Sequence, residues 1–540
     1  MGHLERPAPL VSRNPALKPN LAAARWRGLS AALLALWLGL ALAQTFGRPK
    51  FGPFSILILG LFIALLWRTA ADSAIARAKR GAWLGLLFGI GWFGGALWWL
   101  YISMAVYGGM PALLAGAAVL LFSAYLAMYP ALACALAAAL ALPASREPWH
   151  AARGIGAALA LAAAWTLAEV LRGTVFTGFP WAALGYAQVG NPLAGYAPLL
   201  GMYGVGFAAA LAAALLALLS QVSLRGAALA VALLVLLTAA GQQLTHQRWT
   251  RPIGQPIHVA LLQGNVPQSE KFQPERLGPT LNMYGDWLTS LRADLIVTPE
   301  TGVPVLPEDL PPHYLSAITA ALEAHHAQAL LGIPLTRGAD QYTNSILGLG
   351  GPAPYRYDKA HLVPFGEFIP YGFHWFVRLM NMPLGDFARG TLDQPPFVVH
   401  GDKVAPTICY EDLFGEQLAQ RFRNPAHAPN IIANLTNLAW FGDTIVIPQH
   451  LEIARMRSLE FQLPTIRATN TGATAIIGAD GRVLAMLKPF TVGVLTGQVQ
   501  GYAGTTPFAW MASRWGYAPI VLLCLLGLGG GLALARRRSS

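Results

Sequence analysis

Three residues of this chain carry side chains that could together transfer an acyl group. Cys409 ends one apolar run, Glu300 follows another, and Lys359 follows a short tyrosine-rich run. A thiolate can attack a carbonyl carbon, a carboxylate can carry the proton, and an ammonium can stabilise the oxyanion. A lone glutamate or lysine at a strand end usually lies at the surface, but the three together predict nucleophilic acyl transfer.

The remaining cysteines and histidines indicate neither a disulfide nor a metal site. Cys134 and Cys524 lie inside apolar segments, so Cys409 has no disulfide partner within the globular part of the chain. His325 and His326 lack partners at metal-ligand spacing and are expected at the surface. The sequence also lacks a glycine-rich nucleotide-binding motif. We therefore expect no metal and no cofactor.

The composition divides the chain into a membrane part and a globular part. Of its 540 residues, 55% are hydrophobic and only 11% are charged, whereas soluble proteins carry about 25% charged residues. The deficit is concentrated in residues 28–242, while residues 251–500 resemble an ordinary globular domain. The net charge is +12, but the basic residues flank apolar segments, which is typical of topology signals and contact with anionic lipids. We therefore expect a bilayer, and no nucleic acid, as a partner.

Eight apolar segments are long enough to cross a bilayer, which takes about 20 residues per helix. They lie near residues 28–45, 51–67, 82–103, 111–142, 154–173, 193–219, 225–241 and 516–535. The fourth is too long for one straight span, and a kink at Pro130 would accommodate it. The first lacks a small-residue cleavage site, so no removable signal peptide is expected. The predicted parts are a basic N-terminus (1–27), a seven-span membrane domain (28–242), a catalytic domain (257–500) and a C-terminal transmembrane helix (516–535).

Basic residues distinguish the two sides of the membrane. They are concentrated in the N-terminus, in the connections after the second, fourth and sixth spans, and in the C-terminal tail. The alternate connections are poorer in positive charge, although Arg48 and Lys50 lie in the first. Because positively charged loops stay in the cytoplasm, both termini are predicted to be cytoplasmic and the globular domain to lie on the outer face.

Two charged residues interrupt the fifth span. Glu169 and Arg172 are three residues apart and follow Trp165 by about one turn, so they can form an ion pair on one helix face. Charges within a membrane are costly and often functional. A structural pair near the interface and a functional pair are equally compatible with the sequence.

The globular part alternates β-rich runs with helical stretches, which predicts an α/β domain. Strands are expected at residues 258–263, 294–298, 329–333, 405–409, 431–434 and 473–477, and helices include 311–327 and 448–461. Glu300, Lys359 and Cys409 all lie at strand ends. A glutamate near a lysine can act as base and then as acid, and the lysine raises the thiolate fraction of a nearby cysteine.

These residues resemble the active-site set of the carbon–nitrogen hydrolase (nitrilase) superfamily, which places a glutamate, a lysine and a cysteine on an α-β-β-α sandwich. The resemblance covers residues 257–500 and narrows to the apolipoprotein N-acyltransferase family. The narrower match rests on Tyr357-Asp-Lys-Ala-His-Leu-Val-Pro-Phe-Gly-Glu-Phe-Ile-Pro370, Ile408-Cys-Tyr-Glu411, Trp440-Phe-Gly442 and Arg467-Ala-Thr-Asn-Thr-Gly472. Seven spans before the domain and one after it match that family's layout, so the resemblance extends over nearly the whole chain.

The resemblance implies a role for each of four site residues. Glu300 would be the general base, Lys359 the oxyanion stabiliser and Cys409 the nucleophile. Glu367 matches a further glutamate that supports the site in the family.

Three more residues of the matching segments are implied to contact the substrate, namely Tyr410, Glu411 and Trp440. One position departs from the family pattern. An Asn-Asp pair commonly occurs shortly before the Trp-Phe there, whereas this chain has Asn437-Leu438. The departure removes a carboxylate and leaves the three triad positions unchanged.

The resemblance also implies a two-step reaction. Cys409 would attack the sn-1 ester of a phospholipid and release a lysophospholipid. The thioester would then acylate the N-terminal amine of diacylglyceryl-cysteine in a lipoprotein precursor, a reaction that thioesters undergo readily. Such a protein is expected as a monomer in a bacterial inner membrane, with its catalytic domain on the periplasmic face.

An apolar helical pattern follows the lysine segment directly, within residues 371–390. Phe373, Phe376, Val377 and Met380 recur at helical spacing. Two interpretations stay open, namely burial in the core and a lid that dips into the bilayer interface and admits lipid. In the second interpretation Phe373, Phe376 and Met380 would bind the substrate.

A membrane-anchored amidase acting on a soluble amide is the main alternative function. It would use the same triad but needs neither eight spans nor an apolar lid. A transporter with an attached binding domain would require repeat-related broken helices, and the sequence has no such repeat. An inactive membrane scaffold would not require an intact triad.

Overall fold

The structure, a computed structural model, describes residues 21–68, 73–143, 149–338, 341–370, 372 and 387–536. A helical membrane part is followed by an α/β domain, and a final helix returns to the membrane part. There it packs so closely that a Cβ atom built on Gly156 would lie 2.4 Å from the carbonyl oxygen of Gly531.

Long apolar helices make up the membrane part. They are α1 (Leu21–Ala43), α2 (Gly52–Arg68), α3 (Ala74–Leu97), α4 (Ala112–Ala141), α5 (Ala151–Arg172), α6 (Ala197–Leu218) and α7 (Leu224–Leu244). In the described chain, six helices, including the C-terminal one, are long and apolar enough to span a bilayer, and α3 with its continuation makes a seventh if the pair is one span. The apolar part of α1, Gly28–Ala43, is shorter. Each of the eight predicted spans thus falls on a helix. Six of these helices, or seven if the bent pair is one span, are long enough to cross a bilayer.

The third predicted span is broken rather than continuous. α3 ends at Leu97, and the chain continues in a short helical segment, Leu100–Tyr107, at an angle of 62°. At the break, the indole of Trp99 donates to the carbonyl of Ala96 (2.9 Å) and to the side chain of Gln449 in the α/β domain (3.2 Å). The stretch is apolar throughout, so hydropathy alone predicts one span. The fourth predicted span runs as one helix through its internal proline.

Small residues allow α3 and α4 to pack with their backbones in contact. Gly81, Gly85 and Gly89 recur every four residues on α3 and face α4. A Cβ atom built on Gly85 would lie 2.8 Å from the Cα atom of Ala131. Such small-residue stripes are typical of closely packed membrane helices.

We expect Gly85→Ala to destabilise the membrane part, because the added methyl group must displace the α4 backbone. Overpacking of this kind costs about 1–3 kcal/mol. The matched control is Gly94→Ala on the same helix, where an added Cβ meets no atom of the described chain within 4 Å. Thermal unfolding in detergent measures the difference, and equal melting temperatures for the two variants would contradict the close packing.

Two six-stranded sheets form the centre of the α/β domain. The strands of the domain are β1 (Thr250–Pro252), β2 (Ile257–Gln263), β3 (Leu295–Val297), β4 (Gln328–Thr336), β5 (Tyr342–Leu349), β6 (Tyr355–Asp358), β7 (Phe397–Val399), β8 (Asp402–Ile408), β9 (Ile431–Thr436), β10 (Thr465–Thr469), β11 (Ala475–Ile477), β12 (Val483–Met486), β13 (Gly493–Val499) and β14 (Tyr502–Gly504). The sheets have the orders β13-β2-β3-β4-β5-β6 and β12-β11-β10-β9-β8-β7. In each sheet the three central strands, β2-β3-β4 and β8-β9-β10, are parallel.

The two sheets pack face to face between two layers of helices. Apolar side chains of both sheets, such as Val297 and Ile408, share one buried core. The outer face of the first sheet is covered by α8 (Pro274–Ser290) and α9 (Tyr314–Ala324), and that of the second by α10 (Val446–Phe461) and α11 (Pro507–Trp515). The chain then ends in α12 (Ala518–Ala535). The predicted α-β-β-α sandwich is confirmed.

Helix α10 attaches the α/β domain to the membrane part. The side-chain oxygen of Gln449 accepts hydrogen bonds from the indoles of Trp99 (3.2 Å) and Trp181 (2.8 Å). Near the other end of the helix, a carboxylate oxygen of Glu460 accepts from the backbone N–H of Met202 (2.7 Å). These buried polar contacts fix the orientation of the domain relative to the membrane helices.

Candidate active site

Cys409 lies at a sharp turn between a strand and a short helix. β8 ends at Ile408, and Cys409 begins the 3-10 turn Cys409–Leu413 with a φ of 50°. Residues other than glycine rarely adopt this left-handed conformation, and such strain occurs preferentially at functional sites. The turn leaves the Cys409 side chain partly accessible.

Glu411 holds this turn against the segment that carries the lysine. Its Oε2 accepts from the N–H of Ile408 (2.6 Å) and the hydroxyl of Tyr357 (2.8 Å), and its Oε1 accepts from the N–H of Ala360 (2.7 Å). These contacts are internal to the domain, so Glu411 positions the turn. Its contact with substrate stays a prediction.

Lys359 directly follows β6 and is buried, with 1% of its side chain exposed. Its Nζ donates to Oε1 of Glu300 (3.1 Å) and to Oε1 of Glu367 (2.8 Å). Burial alone would lower the pKa of Lys359, but the two carboxylates outweigh it and raise the pKa. The amine therefore stays protonated and can offer its charge to a developing oxyanion.

Glu300 lies in the loop after β3, and the next residue, Thr301, has a left-handed backbone with a φ of 45°. While Oε1 of Glu300 contacts Lys359, its Oε2 accepts from the backbone N–H of Asn437 (2.9 Å). Beyond the effect of burial, the charge of Glu300 raises the pKa of Cys409 and the backbone of Asn437 lowers it. The carboxylate therefore lies near the thiol.

Asn344 belongs to the site, although the sequence analysis did not identify it. Its side-chain Nδ2 donates to Oε1 of Glu300 (2.8 Å) and to Oε1 of Glu367 (2.7 Å). Its backbone carbonyl accepts from the backbone N–H of Lys359 (2.8 Å). Glu367 is held in turn by the N–H of Val363, which donates to its Oε2 (2.8 Å). In the sequence, the position of this polar side chain within the buried strand β5 was the available indication that Asn344 belongs to the site.

The surroundings of Cys409 keep its thiol protonated in the resting site. Burial raises the pKa of Cys409, the carboxylates of Glu300 and Glu367 raise it as well, and the ammonium of Lys359 opposes them. Because the thiolate is the nucleophile, attack requires a base that removes the proton as the sulfur reacts. Of the two carboxylates, Glu300 has the larger effect on the pKa of the thiol and is therefore the one best placed for this step.

We expect Asn344→Leu to slow thioester formation by about tenfold or more. The substitution removes one donor from each of two buried carboxylates, and a hydrogen bond to a charged group is worth about 1.5–3 kcal/mol. Asn430→Leu is the matched control, because Asn430 is also buried and hydrogen-bonded, but to Tyr502 and Lys403. Single-turnover rates and melting temperatures are compared, and an equal slowing in both variants would reduce Asn344 to a structural residue.

Tyr410 and Trp440 lie between the site and the membrane part. The hydroxyl of Tyr410 donates to the carbonyl of Gly178 in the loop after α5 (2.9 Å). The ring of Trp440 meets that of Tyr107 edge-on, with 5.9 Å between the centroids. The other predicted substrate-binding residues lie outside the described residues, namely Phe373, Phe376 and Met380.

Glu169 and Arg172 form an ion pair in α5, with 3.7 Å between Oε1 and Nη2 and both side chains buried. Arg172 also donates to the carbonyl of Trp181 (2.8 Å), and Glu169 accepts from the N–H of Leu184 (2.9 Å). The pair therefore organises the loop after α5, the loop that Tyr410 contacts. This arrangement favours the structural interpretation of the two charges.

Leu438, at the position that departs from the family pattern, is buried in the apolar cluster of the membrane part. An aspartate in this apolar setting would need polar partners to offset its burial. The leucine is therefore consistent with its surroundings in this chain.

Comparisons with known proteins match both parts of the chain. Residues 35–215 match the family described as apolipoprotein N-acyltransferase N-terminal domain, and residues 258–508 match the family described as carbon-nitrogen hydrolase. A relative from Ralstonia nicotianae named apolipoprotein N-acyltransferase is 48% identical over 515 residues, covering 94% of either chain. A relative of the same name from Verminephrobacter eiseniae is 46% identical over 511 residues, covering 89% of this chain and 92% of its own.

Solved structures match about half of the chain. A carbon-nitrogen hydrolase from Helicobacter pylori G27 is 16% identical and covers 50% of this chain and 94% of its own, with a TM-score of 0.33. Within the described residues, no group of three or more His, Cys, Asp or Glu side chains is arranged to hold a metal ion.

Proposed function

The chain belongs to the apolipoprotein N-acyltransferase family, and we propose that it acylates lipoproteins through a triad of Glu300, Lys359 and Cys409. It is a multi-pass protein of the inner membrane. The observation that carries the proposal is the contact of Lys359 Nζ with two carboxylates, beside a thiol on a strained turn. An amidase is not favoured, since relatives named as acyltransferases match over the membrane part as well.

In the first half-reaction, the thiol of Cys409 gives its proton to Glu300 as the sulfur attacks the sn-1 ester carbonyl of a phospholipid. The ammonium of Lys359 stabilises the negative charge that develops on the carbonyl oxygen. The carbon–oxygen bond then breaks, and Glu300 returns the proton to the leaving glycerol oxygen. The products are a lysophospholipid and a thioester on Cys409.

In the second half-reaction, the amine of the diacylglyceryl-modified cysteine attacks the thioester. Such an amine has a reference pKa of about 8, so it must be neutral when it reacts. Glu300 takes up the proton that the nitrogen loses, the carbon–sulfur bond breaks, and the thiol recovers the proton. Water would compete with the amine, so the site must exclude it.

The contacts of the α/β domain suit a substrate that stays in the bilayer. The turn that carries Cys409 is tied to the membrane part through Tyr410 and Gly178. The nucleophile therefore lies within two residues of the boundary between domain and membrane part. From the distribution of basic connections we infer that the domain lies on the periplasmic face and that both termini are cytoplasmic.

Transfer between two defined substrates tests the proposal. Purified protein is mixed with vesicles whose phospholipids carry an isotopically labelled sn-1 chain, together with a synthetic diacylglyceryl-cysteine peptide. We expect the label on the amine of the peptide and one lysophospholipid for each acylated peptide. Turnover of a soluble amide without any labelled peptide would instead establish the amidase alternative.

A further inference from the structure

A second lysine is buried beside the triad. Lys271 lies in the segment between β2 and α8, and only 4% of it is exposed. Its Nζ donates to the backbone carbonyl of Glu300 (3.1 Å) and to the hydroxyl of Thr301 (2.6 Å). Both acceptors are uncharged, and both belong to the turn that carries the general base. By contrast, the next residue, Phe272, is 62% exposed.

The segment that carries Lys271 is fixed to the site by two asparagines. The side chain of Asn470 both accepts from the N–H of Val266 (2.9 Å) and donates to its carbonyl (2.8 Å). The side chain of Asn437 donates to Gln268 (2.9 Å), and its backbone N–H donates to the carboxylate of Glu300 (2.9 Å). The position of the ammonium is therefore set by the groups that set the geometry of the triad.

The charges around the thiol indicate what Lys271 contributes. Lys359 contacts two carboxylates, so these three groups together carry one negative charge if all are ionised. A thiolate that forms by losing its proton to solvent, while Glu300 is still ionised, would add a second negative charge, which is unfavourable at a buried site. The Nζ atom of Lys271 lies 3.1 Å from the backbone oxygen of Glu300, and the charges of Glu300 and Cys409 both favour its protonated form. The ammonium of Lys271 is therefore placed to offset the excess negative charge around the thiol.

Burial of an ammonium among neutral acceptors has a cost. Burial lowers the pKa of Lys271 to about 8, although Glu300 and Cys409 act in the opposite direction. On its own segment, the carboxylate of Glu270 is paired with Arg276 at 2.7 Å. Lys271 therefore carries its charge below about pH 8 and loses it above, while Lys359 stays protonated.

We propose that Lys271 is the second cation of the active site, a positioning residue that holds the Glu300–Thr301 turn and stabilises negative charge on the sulfur of Cys409. The proposal deepens the proposed function and rests on it only in taking Cys409 as the nucleophile. The two lysines then have different roles. Lys359 contacts the carboxylates and stabilises the oxyanion, whereas Lys271 supports the general base and the thiolate.

Alkylation of Cys409 by iodoacetamide tests the proposal without any lipid substrate. The full-length protein in detergent is alkylated over a range of pH, and the modification of the Cys409 peptide is followed by mass spectrometry. Lys271→Gln keeps a donor for the Glu300 carbonyl but removes the charge. We expect it to slow alkylation about tenfold below pH 8, the effect of a thiol pKa raised by about one unit. Above pH 9 the two profiles should converge, because wild-type Lys271 is then neutral.

Two further variants separate charge from packing. Lys271→Arg keeps the charge and should restore most of the rate below pH 8, whereas Lys403→Met, which removes a lysine bound to the carbonyl of Pro425 at the domain surface, should leave it unchanged. If Lys271→Gln does not fold, Lys271→Met carries the same expectation. A wild-type profile in the uncharged variant, or an equally slow Lys271→Arg, would overturn the proposal. A wild-type Cys409 that iodoacetamide does not modify at all would overturn the proposed function with it.

Discussion

Cys409→Ala is expected to abolish acyl transfer while the protein still folds and inserts into membranes. Alanine has no nucleophile, and none of the groups that hold the turn is lost, since Glu411 binds the backbone and Tyr357 rather than the sulfur. The measurement is the amount of labelled peptide formed per hour, with the melting temperature recorded in parallel. The variant should melt close to the wild type.

The other two cysteines provide matched controls for this change. Cys134 and Cys524 are buried in α4 and α12, and neither lies near the triad. Their alanine variants should transfer the acyl chain at nearly the wild-type rate. Transfer at the wild-type rate by Cys409→Ala, or its loss in Cys134→Ala alone, would remove Cys409 from the mechanism.

Lys359→Arg is expected to reduce thioester formation by about 10²–10³-fold although it keeps the positive charge. Loss of one oxyanion donor has an effect of this size. The Nζ atom fits between carboxylate oxygens at 2.8 and 3.1 Å in a buried position. A planar guanidinium carries its donors further from the chain and in a fixed plane, so it cannot reproduce a compact ammonium there. Single-turnover acylation by labelled phospholipid provides the rate.

Lys403→Arg is the control for the loss at Lys359. Lys403 donates to the carbonyl of Pro425 in an exposed contact, where the larger head group meets no constraint. We expect no change in its rate. If Lys359→Arg forms the thioester as fast as Lys403→Arg, then Lys359 acts at a distance rather than on the oxyanion.

The residues that the sequence could predict are those whose role follows from side-chain type and strand position. Glu300, Lys359 and Cys409 each lie at a strand end in a readable motif, and the family inferred from those motifs is confirmed by relatives that match almost the whole chain. The alternation of strands and helices predicted an α/β domain, and the α-β-β-α arrangement was implied by the family resemblance. That these three side chains meet in one site is a finding of the structure.

Contacts made by the backbone and by residues far apart in sequence could not be predicted. The N–H of Asn437 donates to the carboxylate of Glu300, and no side-chain pattern records a backbone donor. Lys271 lies in a polar stretch of the sequence and resembles a surface lysine until the fold buries it. At the break in the third span, Trp99 hydrogen-bonds to Gln449, which is 350 residues away in the sequence. A hydropathy profile contains no information about such a contact.

Detection of a covalent acyl group on Cys409 tests the thioester mechanism directly. The protein is mixed with vesicles of labelled phospholipid and no amine acceptor, digested, and the peptide that contains Cys409 is analysed by mass spectrometry. We predict that this peptide gains the mass of the labelled chain, that neutral hydroxylamine removes it, and that addition of diacylglyceryl peptide transfers it to the amine. Acylation of the peptide amine at the normal rate, with Cys409 unmodified throughout, would contradict the thioester mechanism.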